Sequence, residues 1–251
     1  ANWTAIAAAC LYAVHPIRSE AVCGVGFRED LLCAVFYLAA FALWPVSPER
    51  KAGDARGARP ARGRLAGSLG CFVCALLCKE MALSFPLMAM AKEWRAWRRR
   101  TADGAPAWPA DAAQWLGRAA PRLLAAWGLA IAALVLYIGY SSPLAPANAP
   151  PGNTLFLRIL QFSTTTFRYL ALHVWPYPLC ADYALRMNVS ELLPRAVGAL
   201  VALAALAAVA FRFRRRFAPG WEGLAAFLLL LTPVSNIVPL LHAMAIRYLT
   251  L

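Results

Sequence analysis

Residues 15–32, HPIRSEAVCGVGFREDLL, form a short charged connection between two apolar segments. Charged side chains are costly in a membrane protein unless they lie at an aqueous boundary or line a cavity, so such a cluster is a functional-site hypothesis by default. We therefore interpret the connection as part of a polar pocket at one membrane face. Its ionisable residues are His15, Arg18, Glu20, Arg28, Glu29 and Asp30.

The composition is that of a membrane protein. The chain has 251 residues, of which 61% are hydrophobic and 15% charged, and its mean hydropathy is +0.56. Soluble domains are nearer half apolar and a quarter charged. The apolar residues come in blocks of helical length, which predicts an all-α, polytopic bundle.

The net charge of +13 does not indicate nucleic-acid binding. The basic residues cluster in short runs between apolar blocks, where the positive-inside rule places them. The predicted partner is thus the lipid bilayer and not a nucleic acid. The seven cysteines lie mostly inside apolar segments and give no disulfide framework. No metal ligands are predicted, because Cys71, Cys74 and Cys78 are interpreted as small packing residues.

The chain begins with Ala1 inside an apolar segment and ends at Leu251 without a clear stop. We expect residues 1–251 to be part of the transmembrane domain of a longer protein. About seven spans are predicted, at residues 2–14, 31–46, 65–78, 81–93, 122–140, 196–211 and 221–240.

Two segments leave alternatives open. Lys79 and Glu80 split an apolar stretch of about 29 residues, more than the ~20 that one span needs. We favour a hairpin of two short or tilted helices with Lys79-Glu80 at its tip; the alternative is one long tilted helix with a buried ion pair. Residues 156–175 are apolar but carry two arginines and a histidine, and we interpret them as an interfacial or re-entrant helix.

Topology follows from the basic runs. A flexible loop at 47–64 and the runs at 92–100 and 212–216 are assigned to the cytosolic side. Residues 101–121 are predicted to be a polar linker with a surface helix. If residues 156–175 do not cross, one opposite face then collects the charged residues of the connections. These are His15, Glu20, Arg28, Asp30, Lys79, Glu80, Asp182 and Arg247.

Five segments in this order resemble the transmembrane and tetratricopeptide-repeat O-mannosyltransferases, a family of GT-C fold glycosyltransferases. The first, VHPIRSEAVCGVGFREDLL, is similar to the family's HP-x-x-(S/T)-E-A-V and R-x-D-L-L pattern. The others are LLCKEM (76–81), RYLALHVWPYPLCADY (168–183), TPVSNIVP (232–239) and MAIRYL (244–249). Cys78 replaces the usual Ser, and Ile246 replaces the acidic residue before Arg247.

The resemblance implies transfer of mannose from dolichyl phosphate mannose to Ser or Thr of luminal proteins in the endoplasmic reticulum. It also implies a first helix and a first luminal loop upstream, where the family carries its acidic catalytic base, and a tetratricopeptide region downstream. The rival hypotheses are another polyprenyl-phosphate-sugar transferase of GT-C fold and a non-enzymatic transporter. A transporter should place polar groups at mid-membrane, whereas here the charges lie at segment ends.

The chemistry assigns roles to the charged residues. The departing phosphate needs cations, for which Arg28, Lys79 and Arg247 are the candidates. The acceptor hydroxyl needs a carboxylate, for which Glu20, Asp30 and Asp182 are the candidates. The alternatives are purely structural roles, in which Lys79 snorkels from a helix end and Asp30 caps a helix. His15 and Glu80 are assigned supporting roles.

Overall fold

The structure is a computed structural model that describes residues 3–24, 28–46, 58–102, 110–141, 155–177, 179, 189–213 and 218–231. All the regular secondary structure in these residues is helical, which confirms the all-α prediction. The α-helices are α1 (Trp3–Val14), α2 (Ser19–Cys23), α3 (Arg28–Leu43), α4 (Ala58–Cys78), α5 (Phe85–Ala102), α6 (Ala110–Ser141), α7 (Leu155–Val174), α8 (Val189–Arg212) and α9 (Ala218–Leu230). Two 3-10 helices cover Pro16–Arg18 and Glu80–Ser84.

The chain divides into two compact units. The first comprises Ala1–Leu31 and Pro146–Leu251, and the second comprises Leu32–Ala145. Helices α1, α2 and α7 to α9 thus belong to the first unit, and α4 to α6 to the second. Helix α3 begins in the first unit and continues through the second.

Two of the described helices contain segments long and apolar enough to cross a membrane, Ala119–Gly139 and Ser190–Arg212. They correspond to the predicted spans at 122–140 and 196–211. Only 17% of each most apolar window is buried inside the structure, unlike the core helix of a soluble protein. The seven-span bundle as a whole stays a prediction.

Apolar side chains cover much of the described surface, while several polar ones are buried. Val135, Leu136 and Val201 are more than half exposed, whereas Ser68 and Gln161 are buried. Large exposed apolar areas mark surfaces that contact a membrane or another protein. This distribution, together with the two apolar helices, supports membrane association.

In the second unit, α4 and α5 form the hairpin favoured from the sequence. The rings of Phe72 and Phe85 stack with centroids 4.6 Å apart, although along one continuous helix they would be about 20 Å apart. Lys79 has an extended backbone (φ −158°, ψ 144°), which ends α4 before the 3-10 helix Glu80–Ser84. The alternative of one long helix is therefore wrong.

Helix α3 packs against the open end of this hairpin. Gly67 lets α4 approach closely, because a Cβ at that position would lie 3.3 Å from Cδ1 of Leu43. The neighbouring Ser68 hydroxyl donates to the carbonyl oxygen of Ala40 over 2.6 Å. Small residues at such crossings allow close backbone contact between membrane helices.

Three segments differ from the predicted boundaries. The connection at 15–30 contains a 3-10 helix and α2, and α3 starts at Arg28. Of the predicted loop 47–64, residues 47–57 lie outside the described residues, and 58–64 are the first two turns of α4. Proline is tolerated in a first turn and Arg is a good helix former, so the packing of α4 on α3 extends the helix into this basic stretch. Likewise residues 110–121, which were predicted to belong to a polar linker, are the first turns of α6.

In the first unit, α7 packs along α8 through buried Leu160, Leu192 and Ala196. The 20 residues of α7 confirm a helix at 156–175. Its exposed residues include Phe156 and Ile159. Its buried ones include the polar Gln161, Ser163, Thr165 and Thr166. Whether α7 crosses the membrane stays a prediction.

Candidate functional site

The candidate site of the first unit is centred on two histidines that lie 158 positions apart in the sequence. His15 precedes Pro16 and has the extended backbone (φ −66°, ψ 128°) that a following proline favours. Its Nδ1 accepts a hydrogen bond from the backbone N–H of Ile17 over 3.2 Å. His15 therefore caps the 3-10 helix Pro16–Arg18.

The other ring nitrogen of His15 reaches a second segment of the chain. Nε2 lies 3.2 Å from the carbonyl oxygen of His173. A carbonyl oxygen only accepts, so Nε2 carries the proton and donates it, while Nδ1 accepts from Ile17. The two partners thus assign His15 the neutral Nε2–H tautomer.

His173 lies at the end of α7 and is held by its own helix. Its Nδ1 donates to the carbonyl oxygen of Tyr169 over 2.8 Å. Its ring lies over that of His15, with centroids 6.0 Å apart, and meets the Phe227 ring of α9 edge-on at 5.3 Å. Helix α9 leads directly into the TPVSNIVP segment. The structure thus brings together parts of the first and third motif segments and the helix that precedes the fourth.

Three further predicted site residues of the first unit are Arg28 and Asp30 at the start of α3 and Glu20 in α2. Arg28 is exposed, and Asp30 is only 1% exposed. Glu29 and Asp30 both lie in the first turn, where the helix dipole favours negative charge. Their placement agrees with helix stabilisation by Asp30 and leaves its catalytic role a prediction. Glu20 lies in α2, and its side chain is outside what the structure describes.

Lys79 and Glu80 lie in the second unit, at the tip of the α4–α5 hairpin. Both side chains are partly buried, and the turn is well packed, with Met81 and Ala82 buried beneath it. Ser84 closes the turn, because its hydroxyl donates to the carbonyl oxygen of Met81 over 2.9 Å and lies 3.1 Å from the Tyr37 hydroxyl of α3. The tip therefore presents Lys79 from a fixed backbone.

Asp182 and Arg247 lie outside the described residues. The prediction that Glu20, Lys79 and Asp182 share one membrane face therefore stays a prediction. Among the described histidine, cysteine, aspartate and glutamate side chains, no group of three could hold a metal ion.

A buried charged cluster at the opposite end of the hairpin was missed by the sequence reasoning. The Glu93 side chain is 1% exposed, and its Oε1 lies 3.1 Å from a guanidinium nitrogen of Arg122 on α6. The same oxygen accepts the indole N–H of Trp44 over 3.2 Å. Two features of the sequence could have indicated this cluster. Glu93 is an acidic residue inside the basic run at 92–100, and Arg122 is an arginine at the start of an apolar span.

Cations from three helices satisfy the carbonyl groups at the end of α3 that have no helical partner. Lys92 donates to the carbonyl oxygens of Phe41 and Trp44, and Arg122 donates to that of Pro45 over 2.8 Å. Arg64 lies 3.5 Å from the carbonyl oxygen of Ala42. A helix C-terminus favours positive charge, so this cluster stabilises the packing of α3, α4, α5 and α6.

The amino-acid sequence is similar to parts of known proteins. The chain is 37% identical over 87 residues to Protein O-mannosyl-transferase Tmtc3 of Drosophila melanogaster, a match covering 33% of the chain and 9% of that protein. It is 36% identical over 77 residues to Protein O-mannosyl-transferase TMTC4 of Mus musculus, covering 31% of the chain and 10% of the relative. It is 65% identical over 34 residues to Protein O-mannosyl-transferase TMTC3 of Mus musculus, covering 14% and 4%.

The chain therefore spans a tenth or less of the length of these relatives. No family model matches it. No solved structure matches it either. The family resemblance read from the motifs is confirmed over these partial stretches.

Proposed function

We propose, on the premise that this chain is a partial relative of the TMTC protein O-mannosyl-transferases, that it is part of a membrane mannosyltransferase. The complete enzyme transfers mannose from dolichyl phosphate mannose to Ser or Thr hydroxyls of luminal proteins. It is a multi-pass GT-C bundle of the endoplasmic reticulum membrane, with its site facing the lumen and a tetratricopeptide region after the membrane part. In this arrangement α7 is the interfacial or re-entrant helix.

One observation carries the proposal beyond the sequence similarity. The hydrogen bond between His15 and the carbonyl oxygen of His173 joins two of the segments that resemble the family. The contact supports a site built from both segments.

The reaction assigns each charged residue a step. The acceptor oxygen forms a bond to the anomeric carbon of mannose while the bond from that carbon to the phosphate oxygen breaks, and the electron pair leaves with dolichyl phosphate. Arg28, Lys79 and Arg247 stabilise the charge of the departing phosphate. A carboxylate takes the hydroxyl proton, with Glu20, Asp30 and Asp182 as candidates in this chain. His15 and Glu80 support these groups.

The exposure of Arg28 and the fixed backbone of Lys79 fit the phosphate role. Arg28 stands at the first position of α3, so an anion bound there also meets the positive end of the helix dipole. Lys79 projects from an extended residue between two helical segments. Both positions leave the cation at a helix boundary, where a headgroup phosphate can approach.

The test is a transfer assay on the complete protein. Microsomes from cells that lack the enzyme receive the full-length protein together with radiolabelled dolichyl phosphate mannose. Protein-bound label that β-elimination releases is O-linked mannose, and its appearance supports the proposal. Label transferred only from a nucleotide sugar, or no O-linked label at all, would reject it.

A further inference from the structure

Along one exposed face of α5, here called its exposed line, the side chains change from apolar to cationic. Met90, Trp94 and Arg98 follow each other at intervals of four residues, so they lie on one helix face, and all three are exposed. Trp94 packs against Trp97, with ring centroids 4.7 Å apart. An apolar residue, a tryptophan and an arginine in this order match the passage from hydrocarbon through interface to water.

On α4, too, the side chains of one exposed face change from apolar to cationic with distance from the tip of the hairpin. Leu77, beside the tip, is 83% exposed, and Val73 lies one turn before it on the same face. Gly70, Ala66 and Arg62 continue this exposed line away from the tip. From Leu77 to Arg62 the line is about 22 Å long, which is most of the thickness of a hydrocarbon core.

The hairpin brings the two cationic ends of these lines to one place. Arg64 of α4 and Lys92 of α5 both reach carbonyl groups at the end of α3. The two carbonyl groups belong to the neighbouring residues Phe41 and Ala42, so the two positive charges lie at the same place on α3. Among the described residues of α4 and α5, the acidic Glu93 is buried, and its carboxylate lies 3.1 Å from Arg122. We call Arg62, Arg64, Lys92, Arg95 and Arg98 the cationic end of the hairpin.

We propose that the cationic end binds the headgroup of an anionic phospholipid of the surrounding bilayer. A phosphate between the ends of α4 and α5 would relieve the repulsion of Arg64 and Lys92. The lipid is favoured over a soluble anion because both helix lines become apolar within two turns of the cations. Trp94 and Trp97 lie at the depth of the headgroup and glycerol region.

Capping of α3 does not account for the whole cluster. Of the residues of the cationic end, Arg64 and Lys92 contact carbonyl groups at the end of α3. Arg62, Arg95 and Arg98 are exposed on the same end of the hairpin. These three exposed arginines add positive charge beside the two side chains that cap α3.

The experiment uses the full-length protein in nanodiscs and counts bound lipids by native mass spectrometry. In discs that contain phosphatidylserine and phosphatidylcholine, the wild-type protein is expected to retain phosphatidylserine. Arg62→Gln and Arg98→Gln should each weaken this retention about fivefold, since one basic residue near an anionic surface contributes about that factor. Arg195→Gln, which removes an exposed charge from α8, is the matched control and should leave it unchanged.

Two outcomes overturn the proposal. Equal retention of both lipids would show that the cluster does not select an anionic headgroup. If Arg195→Gln weakened phosphatidylserine retention as much as Arg62→Gln, the lipid would be attracted by the total charge of the protein and not by a local site. Inorganic phosphate at millimolar concentration should not displace the lipid; displacement would assign the site to a free anion and reject the lipid.

Discussion

His15 donates its Nε2–H to the carbonyl oxygen of His173 over 3.2 Å. The bond closes a gap of 158 positions in the sequence and joins the start of the first unit to the end of α7. Because Nδ1 of the same ring caps the 3-10 helix Pro16–Arg18, one side chain holds both the local turn and the distant segment.

The variant His15→Ala is expected to destabilise the protein by about 1–2 kcal/mol, since it loses both a cap and a bridging hydrogen bond. His15→Asn should lose about half as much, because Asn caps helices well but is too short to bridge to His173. Thermal unfolding of the complete protein in detergent measures both. A fully stable His15→Ala variant would mean that the bridge contributes nothing.

Substitution of Glu93 tests the buried cluster. Glu93→Ala leaves the Arg122 cation without its carboxylate, and we expect a loss of about 3–5 kcal/mol, which unfolding in detergent measures. The double variant Glu93→Met/Arg122→Met should be markedly more stable than Glu93→Ala alone, because no buried charge is left behind. Glu191→Ala, in the first turn of α8, is the control and should cost less than about 1 kcal/mol. Equal losses for Glu93→Ala and Glu191→Ala would contradict a buried ion pair.

The phosphate-binding roles are tested with Arg28→Ala and Lys79→Ala in the complete protein. Each should reduce mannose transfer by about 100-fold or more while membrane expression is unchanged, as expected for loss of a group that stabilises the departing phosphate. Arg195→Ala is the control, because it removes an exposed arginine outside the motif segments. Full transfer by both Arg28→Ala and Lys79→Ala would discard the assigned roles.

The topology is tested by labelling with a membrane-impermeant thiol reagent in intact and in opened microsomes. In a background without native cysteines, Arg62→Cys should react from the cytosolic side and Lys79→Cys from the lumenal side only. The two positions lie at opposite ends of α4, about 26 Å apart along the helix. Labelling of both positions from the same side would exclude a transmembrane orientation of the hairpin.

Local features of the sequence predicted the local features of the fold. The chain turns at His15-Pro16 because proline restricts the residue before it. Helix α3 (Arg28–Leu43) corresponds to the predicted span at 31–46 and ends three residues before its predicted bound. The apolar blocks at 122–140 and 196–211 correspond to α6 and α8. These predictions succeed because backbone chemistry and helix length are encoded by neighbouring residues.

Helix boundaries in polar segments were predicted less well. Residues 58–64 look like a loop because they are rich in Arg, Gly and Pro, yet they are helical. The helix extends there because α4 packs against α3 through Gly67 and Ser68, and this tertiary contact outweighs local preference.

By itself the sequence determined the helical class, the membrane character and the family resemblance and favoured a turn at Lys79-Glu80, all of which reside in short stretches of chain. The tertiary structure alone decided which distant groups meet: His15 with His173, and Glu93 with Arg122 and Trp44. The physical reason is that such pairs depend on how helices cross. Nothing in the sequence indicates that an isolated glutamate in a basic run pairs with an arginine at the start of a span. Only helix packing brings the two within hydrogen-bonding distance.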